Sequence, residues 1–196
     1  MSEFDDEELD EDPYTTVTNG ERFAPLHTAV LALFADLGLR YDVAVSQAFE
    51  QTPSLSAFEH TRPPITLLPA GGGAPLAVAF PSDISLALRC GWWHADVFPS
   101  CTCDGCGLTL AHEAERFADM CFAVVAGGFQ EALSTVPVLD GMAQLSHTFT
   151  GPSGIRSGGT TLRPATAVQL LGTRPAESMW KPWAPRVRVA GIRAPG

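Results

Sequence analysis

Apolar residues recur at helical spacing in two stretches of this chain and alternate with polar ones between them. In residues 21–41, ERFAPLHTAVLALFADLGLRY, the positions Phe23, Leu26, Val30, Leu33 and Leu37 fall three and four apart and form one apolar stripe. That pattern predicts a first helix, with Asn19 as its N-cap and Gly38 as the place where it weakens. The period then changes. Val43 and Val45 alternate with polar neighbours, and ITLLP at 65–69 and LAVAF at 76–80 are short β-compatible runs joined by the glycine-rich AGGGAP. In ISLALRCGWW, 84–93, Leu86, Leu88, Cys90 and Trp92 share one face while Ser85, Ala87 and Arg89 share the other.

A second helix is predicted over 109–129. Leu110, Ala114, Phe117, Cys121 and Val124 line its apolar side, and Glu113, Glu115, Arg116 and Asp119 lie mostly off it. Thr109 is suited to cap its start, Glu113 complements the dipole of its first turn, and Gly127-Gly128 end it. Beyond it, SHTFT at 146–150 and TTLRP at 160–164 suggest a hairpin across the glycine-rich 151–159. Short connections favour antiparallel pairing. The expected fold is α+β, an antiparallel sheet of about four to six strands with two main helices packed on one face. The expected division is an acidic disordered tail at 1–13, one α+β domain at 14–172, and a Pro/Trp-rich tail or strap at 173–196. There Trp180 and Trp183 sit among too many prolines for a regular element.

Charge alters the picture in one respect. The net charge is −10. Residues 1–12 hold eight acids and no base, whereas 151–196 hold seven bases and one acid, and the intervening body is acidic. Such a body repels a phosphate backbone, so nucleic acid is not the expected partner. The scattered C-terminal bases would meet the chain's own acidic segments. No apolar stretch reads as a membrane span, and the acidic start does not resemble a secretory leader, so the expected location is cytoplasmic. An odd cysteine count of five favours reduced thiols over a disulfide framework.

Three of those cysteines, Cys101, Cys103 and Cys106, fall within six positions. Cys103-Asp-Gly-Cys106-Gly107 has the form of half a zinc ribbon, and structural zinc takes four ligands at tetrahedral corners. Cys101 supplies the third thiolate and His94 the expected fourth ligand, with His112 as a competitor. The alternative is thiol redox chemistry at Cys103/Cys106, where the coming helix N-terminus would favour the Cys106 thiolate. Inert thiols in an ordinary loop are the third reading. Cys90 and Cys121 lie on apolar faces and read as small buried hydrophobes.

The stretches YTTVTNGERFAPLH, RCGWWHADVFPSCTCDGC and AVVAGGFQEAL together resemble a family of small actinobacterial proteins catalogued only as a domain of unknown function. The resemblance spans about residues 14–134 and departs after the third cysteine, where the family carries acids and this chain has Gly107-Leu108. It implies no activity. Other motifs fail on their own terms. GIRSGGTT has a phosphate-loop's glycines without its lysine, GPSGI lacks the spacing of a nucleophile elbow, and His112-Glu113 has Arg116 where a zincin's second histidine belongs. His27 and His147 are lone histidines with structural or solvent-facing roles expected. The sequence thus points to a non-enzymatic binding or structural module with an unidentified protein partner and a cysteine loop suited to one structural zinc.

Overall fold

The computed structural model describes residues 16–17, 19–50, 58–135, 142–163, 166 and 175–187. The acidic segment 1–13 and the expected boundary at 172 lie outside the described residues. Five strands, β1 (Val43–Ser46), β2 (Arg62–Pro69), β3 (Leu76–Phe80), β4 (Leu86–Cys90) and β5 (His94–Phe98), form an antiparallel meander in chain order. Four more, β6 (Phe129–Thr135), β7 (Ala143–Gly151), β8 (Gly154–Leu162) and β9 (Glu177–Met179), form a second antiparallel sheet in the order β8-β7-β6-β9. Among the described residues, the α-helices α1 (Pro25–Arg40) and α2 (Leu110–Val125) complete an α+β fold.

The strands therefore divide into two sheets where the pattern suggested one. Strands β5 and β6 were not legible, because HADVF and FQEALST interrupt their apolar positions with His94, Asp96 and Glu131. The glycine-rich 151–159 is mostly strand, not loop. The chain turns at Pro152-Ser153, with Gly151 opposite Gly154 and His147 opposite Gly158.

Every residue of β3 and β4 is buried, so this part of the first sheet is covered on both faces. Leu76, Val78, Phe80, Leu86, Leu88 and Cys90 join the core cluster that also takes in Leu26, Phe34, Phe117 and Val124 from the helices. On the alternate positions, Arg89 is 4 % exposed and pairs with Glu50 at 3.2 Å, while Thr66 Oγ1 donates to the Ala48 carbonyl. The second helix keeps its predicted Thr109 cap, whose hydroxyl accepts from the His112 amide at 3.2 Å. The first differs in detail. A 3₁₀ turn, Gly20–Phe23, precedes α1, Asn19 makes no side-chain cap bond, and Phe34 takes the deep position expected of Leu33. The stretch Gly20–Arg40 is long and apolar enough to cross a membrane by length and composition, contrary to the sequence reading. Here α1 spends its apolar face on the core, burying Leu26, His27, Val30, Phe34 and Leu37.

Strand β4 stops at Gly91, whose φ of +65° turns the chain back into β5. A Cβ there would overlap the Glu131 carboxylate and the Phe129 ring, so only glycine fits. Glu131, 2 % exposed on β6, receives the three amides that follow this turn: Trp92 N–H at 2.6 Å, Trp93 N–H at 3.0 Å and His94 N–H at 3.4 Å. Burial pushes its carboxyl up and the three amides pull it partly back, which leaves it at about 7. Trp92 leaves the face expected of it, packs at a tilt of 44° against Trp180 with ring centroids 4.9 Å apart, and donates Nε1–H to Ser178 Oγ at 3.0 Å.

In its described residues, 175–187, the tryptophan-rich segment packs along the body as a strap and, despite its prolines, supplies the regular strand β9. Trp183 is 3 % exposed, donates Nε1–H to the Ala74 carbonyl at 2.9 Å, and meets Tyr41 edge-on at 5.8 Å. Its amide bonds the Val125 carbonyl at 2.9 Å, and the Asp42 amide bonds the Ala184 carbonyl at 2.9 Å, so the strap joins the ends of both helices. Trp183→Ala is expected to lower unfolding free energy by about 3–5 kcal/mol, with Trp183→Phe in between. The check is a shift in urea midpoint without a change of slope.

Candidate metal centre

The loop after β5 carries the three clustered cysteines. Their side-chain sulfurs lie within 4.8 Å of one another, the one such group of three or more His, Cys, Asp or Glu donors among the described residues. Cys103 Sγ stands 3.0 Å from Cys101 Sγ and 3.0 Å from Cys106 Sγ, beyond the roughly 2.05 Å of a disulfide bond. All three are free thiols, with Cys103 buried, Cys101 half-buried and Cys106 exposed. The cluster thus has a floor in the protein and a mouth on the surface.

Three sets of contacts hold the loop. At its start, the Ser100 amide donates to Glu113 Oε2 at 2.9 Å. Glu113 is fully buried at the start of α2, although the sequence placed it off the apolar side, and Arg116 binds it at 3.0 Å. The same guanidinium reaches Asp96 at 2.6 Å and the Val97 carbonyl at 3.0 Å, and lies 3.8 Å over the Phe98 ring. A buried carboxylate is tolerable only with such partners. In the middle of the loop, Arg22 donates to the carbonyls of Thr102 and Cys103 at 3.2 Å each and to Asp104 Oδ1 at 3.2 Å. The Asp104 amide meanwhile bonds the Thr16 carbonyl at 3.0 Å. At its end, Gly107 adopts a φ of +60° before the Thr109 cap.

The electrostatics separate the thiols. Hydrogen bonds from the Cys103 thiol and amide lower the Cys101 pKa, whereas the bonds Cys106 makes to Cys103 and Cys101 push it up to about 12. These directions favour the thiolate at Cys101 over the one at Cys106, which its nearness to the helix had favoured. Burial raises Cys90 and Cys121 far above the usual thiol range, as expected of packing residues, and both are fully buried in the core.

The structure brings together Cys101, Cys103 and Cys106 and does not bring His94 or His112 to them. His112 is exposed on α2. His94 points into the space between the sheets. It is 9 % exposed, its ring centroid lies 3.9 Å from that of His147, and its Nε2 has no hydrogen-bond partner among the described residues. Burial, followed by the neighbouring His147 and Arg116, holds its pKa down to about 3, so the ring is neutral. Sequence reasoning missed Arg22, Arg116, Glu131 and this use of His147. The Glu113-Arg116 spacing of three on one helix was a usable signal for the first pair, but nothing in the sequence marks Glu131.

Three thiolates at this separation suit one ion. A tetrahedral site with Zn–S bonds near 2.3 Å sets its sulfurs roughly 3.8 Å apart, so the cluster would open slightly on loading. The Arg22 guanidinium on the adjacent carbonyls would offset the excess negative charge of three thiolates. Fold and loop together define a two-sheet α+β protein carrying a surface cluster of three reduced thiols that could hold a metal ion. The chain belongs to the family of unknown function DUF6226, whose model matches residues 1–187. That match agrees with the resemblance drawn from the sequence and extends past residue 134. No curated protein and no solved structure matches the chain.

Glu113→Ala leaves Arg116 without one of its two carboxylates and the Ser100 amide without an acceptor. It is expected to cost about 3–5 kcal/mol of stability and to speed alkylation of Cys103 relative to Cys121. Mass-resolved alkylation under native conditions checks the second outcome.

Proposed function

We propose that this protein is a non-enzymatic cytoplasmic binding or structural module whose Cys101–Cys106 loop holds one structural zinc ion. The observation that carries the reading is the convergence of three free sulfurs on a loop with no regular structure of its own. Thiolates suit zinc, and a metal ligated only in the folded chain adds its binding energy to folding. Zinc would fix the link between β5 and α2, with water or another ligand at the exposed fourth position. The acidic body favours a protein partner over nucleic acid or an anionic membrane.

A second reading is supported by the 3.0 Å approach of Cys103 to Cys106. In it, a small disulfide or peroxide oxidant takes two electrons and two protons from Cys103 and Cys106, which join as a reversible disulfide. Native mass spectrometry of reduced, untagged protein with elemental analysis separates the two. One zinc per chain is expected, lost together with several degrees of melting temperature in Cys103→Ser/Cys106→Ser. A metal-free folded protein with an unchanged melting temperature would overturn the zinc reading. Loss of two hydrogens under mild oxidant, reversed by dithiothreitol, would then support the thiol reading.

A further inference from the structure

The outer strands of a sheet carry unpaired backbone groups, and among the described strands three of the four outer ones are short or covered. Strand β1 has four residues and β9 three, and Arg116 of α2 donates to the Val97 carbonyl on β5. The fourth is β8, nine residues in unbroken register with β7 and exposed from Gly154 to Thr161. At about 3.4 Å per residue this edge is roughly 30 Å long. Natural edges of such length are blunted by charges, a proline or a bulge. β8 has no proline, no bulge and one charged residue, Arg156, which reaches Asp119 at 3.7 Å, and it leaves Ile155 72 % exposed.

The direction of the free groups follows from β7. The Thr150 amide bonds the Gly128 carbonyl on the β6 side, so alternation turns the backbone groups of His147 and Phe149 towards β8. Their partners Gly158 and Arg156 are thereby bonded to β7, while Ile155, Ser157, Gly159 and Thr161 hold their N–H and C=O groups out at the open edge. That row has the same size pattern in both directions about Gly158. β-Branched Ile155 and Thr161 stand at its ends, and small Ser157 and Gly159 lie within. An interface between two like copies has to be self-complementary in this way. No acid occurs in 151–163, although the chain carries −10, so a second copy meets little repulsion along this stretch.

We propose that two copies of this chain pair their β8 strands antiparallel about a two-fold axis at Gly158. Ile155 then faces Thr161 of the partner subunit, and Ser157 faces Gly159 of the partner subunit. Each such pair exchanges two N–H···O bonds, and the β-branched pair covers the exposed isoleucine. The two Arg156 side chains start roughly 14 Å apart along the ladder, beyond the Debye length of about 8 Å at physiological salt. The joined sheet has eight strands, twice the four of one copy. A contact confined to strand edges falls near or below the roughly 1,000 Å² of a stable interface, so the dimer forms reversibly. The pairing does not depend on what the cysteine loop holds.

The test is hydrogen exchange of the full, reduced chain, read amide by amide at about 20 µM and about 1 mM, on either side of a weak dissociation constant. The amides of Arg156, Gly158 and Thr160 should be protected at both concentrations. Those of Ile155, Ser157, Gly159 and Thr161 should exchange rapidly when dilute and roughly tenfold more slowly when concentrated, as sedimentation shows the mass double. Ser157→Pro removes one outward N–H and no bond to β7, so it should stay monomeric at both concentrations. A wild-type chain monomeric at both concentrations would overturn the inference. So would a dimer whose outward amides stay rapid, or outward amides already protected in the monomer. The wild-type pattern decides the matter even if the proline variant does not fold.

Discussion

One buried carboxylate ties the second sheet to the turn between two strands of the first. Glu131 reaches from β6 into the turn between β4 and β5 and takes all three amides of Trp92, Trp93 and His94. A carboxylate so deeply buried is costly, and its elevated pKa records that cost. Three backbone donors offset it and cannot be replaced by apolar packing, because the amides themselves would be left unmet. The contact also sets direction. It fixes Trp93 and His94 at the root of β5, and β5 leads straight into the cysteine loop. The position of the candidate metal centre relative to the second sheet therefore follows from a residue of that sheet that lies outside the cysteine loop.

A relay of charged groups then carries that placement outward. Asp96 on β5 holds Arg116, Arg116 holds Glu113, and Glu113 holds the Ser100 amide at the foot of the loop. Arg22, from the turn before α1, grips the loop on its other side through two carbonyls. Ion pairs of this kind add little net stability, but each has few alternative partners in its surroundings and so specifies one geometry. A three-thiol cluster needs that support, since the loop itself contributes no ladder hydrogen bonds to keep its sulfurs together.

The sequence was legible where one interaction dominates. Apolar periodicity showed both helices and β2, β3 and β4, because burial governs those positions. The cysteine spacing alone brought out Cys101, Cys103 and Cys106 as a group, since a reach of six residues leaves three thiols little choice but to meet. His94 was misassigned because chain proximity carries no information about a strand reversal. His94 opens β5 and Cys101 lies beyond its end, so the strand leaves the imidazole beside His147 of the second sheet and carries the cysteines to the Arg22 side of the first helix. β6 was hidden for the same kind of reason. Its central buried residue is an acid, and no hydrophobicity pattern anticipates a carboxylate serving as a bridge.

Trp183 fills a place in the core between residues such as Tyr41 and Ala74, which are synthesised more than a hundred positions earlier. During synthesis, α1 and the five-strand meander can form while the indole is still to be made. Until it arrives, the nascent domain holds an open apolar notch at the ends of both helices, the sort of surface that recruits chaperones. Completion of the core is thereby tied to emergence of the strap from the ribosome, and a message truncated before this codon would yield a chain permanently in that exposed state.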